Sequence, residues 1–468
     1  MSPLTAAAAR TGLFSPRYRG SSLAFGGVTF LTGFAALALV TTMPVAVQAL
    51  HGLRLYPLAF GGFVTAGLFG SVLAGRLADR FGPRSPLTAG LVLSVIALLV
   101  CGGAQSVWQL IAGRFLDGLA GSLVVVSVNV VVARTYPAEL RPRALSLMSV
   151  CWIVPSMAGP PIAGLVCAAT SWRWVFLGLA SITAAVAGAV LLLARRRMAE
   201  AEIDAGSGES AHEGWKRVRI AVALAVGAGM LQYAGSGRHP VQVAMAVVGI
   251  ALLVPTAPRL LPRGTLRAAA GLPAVVLLSG VCSGVYFTLE SFVPLLLINY
   301  RHVPVSLAGV AFTGATLGWA AASWLQGHVW SAVPRQQLVA VGIATTAIAT
   351  AVAALGVAAG TPPLTAAVAL VAAGAGMGLV APSLTVLVFA YCRPQEQGRY
   401  SGALQVSQSL GQVLTMALAG TLYAAAGGAA AFTSIFALLF ALAVGARLLA
   451  PRTRAVDGTA NTAPDYGG

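Results

Sequence analysis

The chain has 468 residues, of which 58% are hydrophobic and 9% are charged, and its formal net charge at pH 7 is +17. Soluble domains carry roughly 25% charged residues, so this composition excludes a chain whose surface is covered by water. The positive charge would suggest nucleic acid binding in a soluble protein. Here, however, the arginines lie in short segments between apolar runs, as membrane topology and anionic lipid require. We therefore expect an integral membrane protein with no nucleic acid partner.

Apolar stretches long enough to cross a bilayer, about twenty residues each, recur along the whole chain. They begin near Leu23, Leu58, Leu87, Val107, Leu145, Trp174, Val218, Val241, Leu272, Leu307, Leu338, Leu364, Ala403 and Ala431. The first stretch is too long for the apolar core of a cleaved signal peptide, so we expect it to remain as a membrane span. The sequence thus predicts fourteen transmembrane helices.

The basic residues indicate which side of the membrane each connection faces. If the N-terminus is cytoplasmic, nearly all arginines and lysines outside the spans fall on the cytoplasmic side, and the exceptions are Arg54, Arg173, Arg238 and Arg301. Because cytoplasmic loops carry the excess of basic residues in membrane proteins, both termini are predicted to be cytoplasmic. We expect the protein in the inner (plasma) membrane of a bacterium.

The weakest part of this topology is the pair of short apolar runs 218–234 and 241–254. Basic clusters flank the pair on both sides and both favour the cytoplasm, so the segment either crosses the membrane twice or lies at its surface. The length of the two runs favours crossing. Fourteen spans are therefore predicted, with twelve as the alternative.

These features predict six segments of the chain. They are a cytoplasmic tail (1–22), a six-helix half (23–194), a cytoplasmic linker (195–219), two linker helices (220–257), a second six-helix half (258–450) and a cytoplasmic tail expected to be disordered (451–468). The halves echo each other, since Gly75 recurs as Gly327 and Tyr136 recurs as Tyr391. An internal duplication explains this echo, and duplicated halves are how many transporters build a site at the membrane midplane.

A ten-residue run, GRLADRFGPR, begins at Gly75 and separates the second and third spans. Its four charges cannot lie in hydrocarbon, so we predict a compact cytoplasmic turn that acts as a hinge. Asp79 is expected to face the N-terminus of the next helix or to pair with a neighbouring arginine. The residues assigned to this hinge are Gly75, Asp79, Arg80, Gly82 and Arg84.

Ionisable side chains inside the spans are few, and such residues are functional candidates by default. Arg114 and Asp117 share one helix face, so they either neutralise each other structurally or let Arg114 sense the state of a cavity. Glu290 lies deep in the ninth span without a basic partner on its own helix. We assign proton coupling to Glu290, with Asp117 and Arg114 as further candidates. The alternative for Glu290 is a hydrogen bond to a nearby Ser or Tyr.

Gly159, Pro160 and Gly164 in the fifth span predict either a packing kink or a gating hinge, since proline removes a backbone donor and glycine permits close helix contact. Further polar and aromatic residues are candidates for a cavity lining or for interhelical hydrogen bonds. These are Asn129, Trp152, Tyr286, Trp319, Gln405, Gln408 and Gln412.

Several of these stretches resemble motifs of the major facilitator superfamily. The run at Gly75 is similar to the signature G-x-L-x-D-R-x-G-R-R, with Pro83 in place of an Arg, and the Arg114 stretch is similar to R-x-x-Q-G-x-G, with Asp117 in place of Gln. The segment around Pro160 resembles the G-P-x-x-G-G stretch of antiporters, and the segment at Trp172 resembles a W-R-W-x-F motif. Segments 374–382 and 398–402 resemble matching stretches of the fourteen-span drug:proton antiporter branch.

The resemblance implies an all-α membrane protein with a major-facilitator-like fold, two six-helix halves and a two-helix insertion. It implies a monomeric secondary transporter that exports small, largely apolar or amphipathic molecules by proton antiport with alternating access, as in multidrug efflux. The alternative is a lipid or glycolipid exporter of the same fold. The acid that the family pattern places in the first span falls on Ala35 here.

Beyond its substrate, the protein is expected to interact with protons and membrane lipids. No enzyme activity, cofactor or metal is expected, because the five cysteines are scattered singly and no nucleotide-binding glycine loop occurs.

Overall fold

The computed structural model describes residues 13–15, 18–136, 140–193, 211–237, 239–330, 332–393 and 396–454. Within these ranges the chain forms fourteen long helices and no β-strand. They are α1 (Arg19–Ala49), α2 (Tyr56–Phe81), α3 (Arg84–Gly102), α4 (Val107–Thr135), α5 (Arg141–Ala169), α6 (Trp172–Leu193), α7 (Ala211–Ala234), α8 (Pro240–Leu260), α9 (Leu272–Leu295), α10 (Val305–His328), α11 (Arg335–Ala358), α12 (Leu364–Tyr391), α13 (Gln397–Ala426) and α14 (Gly428–Leu449). A π-helical turn, Leu296–Tyr300, continues α9.

Each predicted span coincides with one helix, so the predicted all-α fold is confirmed. Thirteen helices in the described part of the chain are long and apolar enough to cross a membrane, and the apolar part of α7, Val218–Ala234, is shorter. Helices suit these sequences because the bilayer core offers no water to bond with free backbone groups. The predicted tails 1–22 and 451–468 and the linker 195–219 lie largely outside the described residues. The part of the linker that is described, from Ala211 onwards, is helical.

The turn between α2 and α3 is shorter than the sequence indicates. Residues from Gly75 to Phe81 remain helical, and only Gly82 and Pro83 separate the two helices. A glycine inside a helix costs only about 1 kcal/mol relative to alanine, so Gly75 does not end α2. Gly82 ends it, because its φ of 75° is a backbone conformation that disfavours other residues.

The helices group into two compact units. The first comprises the chain up to Gly229 together with His302–Thr313, and the second comprises Met230–Arg301 and the chain from Gly314 onwards. In the first unit the helix pairs α1/α5, α3/α4 and α3/α6 pack extensively, and in the second unit α9/α13, α11/α12 and α11/α14 do so. These three pairs correspond if α1, α3, α4, α5 and α6 are matched with α9, α11, α12, α13 and α14.

Close glycine contacts repeat in the same way. A Cβ atom on Gly118 of α4 would collide with the carbonyl oxygen of Phe63 in α2. A Cβ atom on Gly374 of α12 would collide with the carbonyl oxygen of Ala315 in α10. Because small residues let membrane helices approach at backbone distance, each of these glycines fixes a helix pair within its unit.

Helices α7 and α8 occupy the segment that is predicted as a hairpin. Its turn is held by Gln242, whose Nε2 donates to Ser236 Oγ (3.0 Å) and whose Oε1 accepts from the His239 backbone N–H (2.9 Å). Only 17% of the apolar window of α8 is buried within the protein. Its exposed side chains include Val247 and Val254, so most of the surface of α8 suits contact with lipid.

Candidate functional site

Two buried acids, one in each unit, are the centres of two candidate sites. Asp117 lies on α4 in the first unit and Glu290 lies on α9 in the second, and each residue is at most 6% exposed. Their surroundings differ. The ion pair of Asp117 with Arg114 is the one salt bridge between described residues, and Glu290 has no cationic partner among them.

Arg114 and Asp117 form the pair that their three-residue spacing predicts. Arg114 Nη1 donates to Asp117 Oδ2 at 2.5 Å, and both residues are 4% exposed. The guanidinium carbon of Arg114 also lies 4.6 Å from the centre of the Phe63 ring on α2, in cation–π geometry. The close contact at Gly118, one residue after Asp117, brings the α2 backbone and therefore Phe63 within reach of Arg114.

Asp117 lines a cavity inside the first unit. The cavity is small and partly open, and it is lined by residues of α1, α2, α3, α4 and α6. Its lining is Val28, Leu31, Thr32, Ala35, Ala36, Phe63, Leu91, Ser94, Asp117, Gly121, Val124, Thr183 and Val186. Ala35, where the family pattern places an acid, therefore faces the same space as Asp117. The sequence did not single out Ser94 or Thr183, because one hydroxyl in an apolar helix gives no sign of where it points.

Glu290 lies among polar and aromatic side chains of the second unit. The Tyr286 hydroxyl, one helical turn earlier on α9, is hydrogen-bonded to the Glu290 carboxyl group. Tyr286 is 1% exposed, and its ring packs edge-on against Trp319 of α10 with centroids 5.1 Å apart. Phe287 also contacts Trp319, at 6.3 Å. The structure thus brings together Glu290, Tyr286 and Trp319, which the sequence had placed in different groups.

The fifth helix contains the predicted kink residues. Pro161 has no N–H with which to bond the Met157 carbonyl, and Thr313 Oγ1 of α10 donates to that carbonyl at 2.9 Å. Gly164 is closely packed, because an added Cβ would lie 3.0 Å from Ser306 Cα. Gly159 is not, since a Cβ there would make only ordinary contact with Ala38. The close approach predicted at Gly159 is therefore not required, whereas that at Gly164 is.

The charged residues of the predicted hinge lie at the end of α2 and the start of α3. Asp79 and Arg80 are exposed, and Arg84 is the first residue of α3. Asp79 forms no ion pair with any described residue, so the predicted pairing with a neighbouring arginine is absent there. Arg80 instead lies 5.1 Å from the ring centre of Phe81.

The remaining lining candidates lie on α4, α5 and α13. Asn129, Trp152 and Gln405 are exposed on their helices, and Gln412 is half-buried. Gln408 Nε2 donates to Ser279 Oγ of α9 at 2.9 Å. This bond joins two helices of the second unit. Gln408 therefore fits the alternative to cavity lining that was predicted from the sequence, an interhelical hydrogen bond.

A polar cluster that the sequence did not indicate surrounds Gln326 on α10, which is 2% exposed. Its Nε2 donates to the Gly378 carbonyl at 2.7 Å. Its Oε1 accepts from Ser383 Oγ at 2.7 Å and from Arg335 Nη1 at 3.3 Å. The sequence does contain a feature that could have indicated this cluster, because the glutamine one residue before Gly327 interrupts an apolar run. The cluster fastens α10 to α11 and α12 within the second unit.

Groups of three or more His, Cys, Asp or Glu side chains that could hold a metal ion do not occur among the described residues. All five cysteines are free. The chemistry that the buried groups offer is therefore that of single carboxyl groups and hydrogen bonds.

Comparison with known proteins agrees with this architecture. A probable multidrug-efflux transporter from Mycobacterium tuberculosis strain H37Rv is 29% identical over 454 residues, which cover 91% of this chain and 92% of that protein. An MFS-type transporter from Acremonium is 31% identical over a shorter stretch, 31% of this chain and 26% of that protein.

The fold is also similar to that of solved transporters. A crystal structure of a mutant peptide transporter POT with alafosfalin superimposes with a TM-score of 0.72, at 15% identity, over 97% of this chain and 99% of that one. A POT family transporter in complex with a thioalcohol-conjugated peptide gives a TM-score of 0.72 at 12% identity, over 92% and 96%. The family model of the Major Facilitator Superfamily matches residues 25–285 and 275–466. The chain belongs to the Major Facilitator Superfamily.

Proposed function

We propose that this transporter exports small, largely apolar or amphipathic molecules from a bacterial cytoplasm by proton antiport with alternating access, and that Glu290 carries the proton. Membership in the Major Facilitator Superfamily supports transport. The similarity to a probable multidrug-efflux transporter over most of the chain supports export. The surroundings of Glu290 support the coupling, and this residue is the observation on which the proposal depends.

A carboxyl group can couple proton movement to transport if its ionised form is stable only in those states of the transport cycle in which water reaches it. Glu290 is 6% exposed and has no cation beside it among the described residues. Hydrocarbon strongly disfavours a lone charge, so ionised Glu290 needs access to water, whereas protonated Glu290 does not. Release of the proton would therefore accompany opening of the second unit toward solvent.

Asp117 is less suited to this role because it is tied to Arg114. A proton on Asp117 would leave the buried guanidinium without its anionic partner, and removing one partner from a buried ion pair costs about 3 to 5 kcal/mol. We assign the pair to holding α4 and shaping the cavity, and not to carrying the coupled proton.

The proposed cycle also assigns roles to the kink and the hinge. In this cycle the first unit would bend at Gly82, between α2 and α3, and around Pro160 and Pro161 in α5. Both termini are proposed to be cytoplasmic, and the transporter is proposed to act as a monomer.

The test is transport in vesicles that contain the purified protein, with an imposed pH gradient and a panel of dyes and lipids as cargo. One pH unit supplies about 1.4 kcal/mol per proton, which sustains about a tenfold cargo gradient. Glu290→Gln imitates the protonated form, so it should still bind cargo and exchange it across the membrane without energy. It should lose uphill transport.

The matched control is Glu396→Gln, an identical change at an acid that precedes α13 outside the apolar spans. This variant should keep uphill transport. Full pH-driven transport by Glu290→Gln would refute the assignment of the proton to Glu290. Transport of lipids but of no dye would favour the lipid exporter instead.

A further inference from the structure

We propose that the second unit has a binding site for the phosphate headgroup of an anionic phospholipid. The site lies where the connection between α8 and α9 (residues 261–271) meets the C-terminal turn Ala450–Thr453. This lipid site goes beyond the proposed export function and does not depend on it, because lipid binding needs neither cargo nor a proton gradient.

Hydrogen bonds fasten the connection and the C-terminal turn to each other. Arg452 Nη1 donates to the Ala268 carbonyl at 3.2 Å, and the Gly271 backbone N–H donates to the Arg452 carbonyl at 2.8 Å. The Tyr391 hydroxyl at the end of α12 donates to the Thr453 carbonyl at 2.8 Å. The end of α14 and the start of α9 are thus held side by side, so the two segments form one surface.

The connection between α8 and α9 also has internal hydrogen bonds that fix its shape. Thr265 Oγ1 donates to the Pro262 carbonyl at 2.7 Å. The backbone N–H groups of Arg267 and Ala269 both donate to the Gly264 carbonyl at 3.1 Å. A surface that is already ordered loses less conformational entropy when a ligand binds to it.

The surface formed by these two segments is strongly basic. Its exposed arginines are Arg259, Arg263, Arg267, Arg452 and Arg454. Residues 255–271 and 445–454 contain no acid, and none of these arginines forms an ion pair with a described residue. A guanidinium group stays charged and can donate two parallel hydrogen bonds to a phosphate group. The surface therefore favours an anion that carries phosphate oxygens.

Exposed apolar side chains beside the arginines indicate that this phosphate belongs to a lipid. Leu266, which lies between Arg263 and Arg267 in the chain, is 66% exposed, and Leu448 near the end of α14 is 74% exposed. Both lie beside the ends of helices that are long and apolar enough to cross a membrane. Acyl chains can cover such leucines, whereas a soluble phosphate cannot. Basic clusters next to the cytoplasmic ends of membrane helices attract anionic headgroups.

The same unit offers a matched control surface. Arg393 and Arg399 are exposed where α12 ends and α13 begins, but Glu396 lies between them in the chain. The acid partly balances their charge, so this segment should attract an anionic headgroup less strongly. Substituting both arginines there removes as much positive charge from the protein as substituting Arg263 and Arg267.

The test is titration of the purified protein in detergent micelles with palmitoyl-oleoyl phosphatidylglycerol. Native mass spectrometry gives the affinity of the first bound lipid, and phosphatidylcholine with the same acyl chains is the comparison without net charge. Each arginine close to an anionic headgroup should strengthen binding about fivefold. Phosphatidylglycerol should therefore bind at least about tenfold more tightly than phosphatidylcholine.

Substitutions then locate the site. The double variant Arg263→Gln/Arg267→Gln should weaken phosphatidylglycerol binding at least about tenfold, and Arg454→Gln should weaken it about fivefold. The control Arg393→Gln/Arg399→Gln should change it less than about twofold, as expected for charges that do not touch the lipid.

The proposal is overturned if phosphatidylcholine binds as tightly as phosphatidylglycerol or if the two double variants weaken binding equally. Unchanged binding by Arg454→Gln would also overturn it, because the C-terminal segment would then not belong to the site. Inorganic phosphate at millimolar concentration should not displace the lipid. Complete displacement would show a site for free phosphate and would refute the lipid site.

Discussion

The ion pair between Arg114 and Asp117 gives the sharpest test of how charge is held inside the first unit. Asp117→Asn removes the negative charge and leaves Arg114, whose Nε already lacks a hydrogen-bond partner among the described residues, without an anion. Arg114→Gln leaves the carboxylate alone. With both residues 4% exposed, either change should lower the free energy of unfolding by about 3 to 5 kcal/mol.

The double variant should be less damaging than either single one. Removing both charges removes the Coulomb attraction but also the cost of keeping two ions out of water, and these terms nearly cancel for many buried pairs. The coupling energy from the double-mutant cycle should therefore be at least about 3 kcal/mol. Part of the cost of Arg114→Gln belongs to its cation–π contact with Phe63 and will not be restored by the second substitution.

The measurement is unfolding of the purified protein by SDS titration from mixed micelles, with all four proteins compared under one condition. A control cycle is provided by Arg80 and Asp79, which carry the same charges at the exposed end of α2 and form no ion pair with any described residue. That cycle should show a coupling energy below about 1 kcal/mol. If Asp117→Asn alone leaves stability unchanged, Asp117 is not what keeps Arg114 in the membrane.

Two further predictions concern the kink and the topology. Thr313→Val removes the donor to the Met157 carbonyl and should destabilise the protein by about 1 to 3 kcal/mol in the same titration. Thr345→Val, at a half-buried threonine that bonds only within its own helix, should cost less, and equal losses would contradict a special role for the first bond. In a cysteine-free background, a membrane-impermeant thiol reagent added outside should label His239→Cys and spare Ser85→Cys. Protection of both would place the α7–α8 hairpin inside and leave twelve spans.

The helices could be predicted from the sequence because a membrane span depends on its overall apolar composition more than on the identity of each residue. Apolar runs of the right length with arginines at their ends have few alternatives in a bilayer, where backbone groups must bond within the helix. The end of α2 was harder to predict. Glycine permits a turn but does not impose one, so the helix passes Gly75 and stops at Gly82. Where a helix ends between two glycines depends on contacts that local sequence does not encode.

Part of the candidate site could also be predicted from composition alone. Glu290 and the Arg114–Asp117 pair stand out because any charge in an apolar run is unusual. Ser94 and Thr183 do not stand out, since hydroxyl groups are common in membrane helices and usually bond to their own backbone. Their place in the cavity follows from the rotation of α3 and α6 about their axes, which packing between helices decides.

The repeated glycine contacts bear on how the two units diverged. If Gly118 and Gly374 occupy equivalent positions, then Leu370 and Ala373 on α12 stand where α4 has Arg114 and Asp117. Leu370 and Ala373 are both fully buried. On this alignment, equivalent buried positions hold an ion pair in the first unit and two apolar side chains in the second. The steric requirement for glycine at the helix crossing is then common to both units, whereas the charge of the neighbouring residues differs between them. The second unit therefore shows that this helix crossing does not need an ion pair.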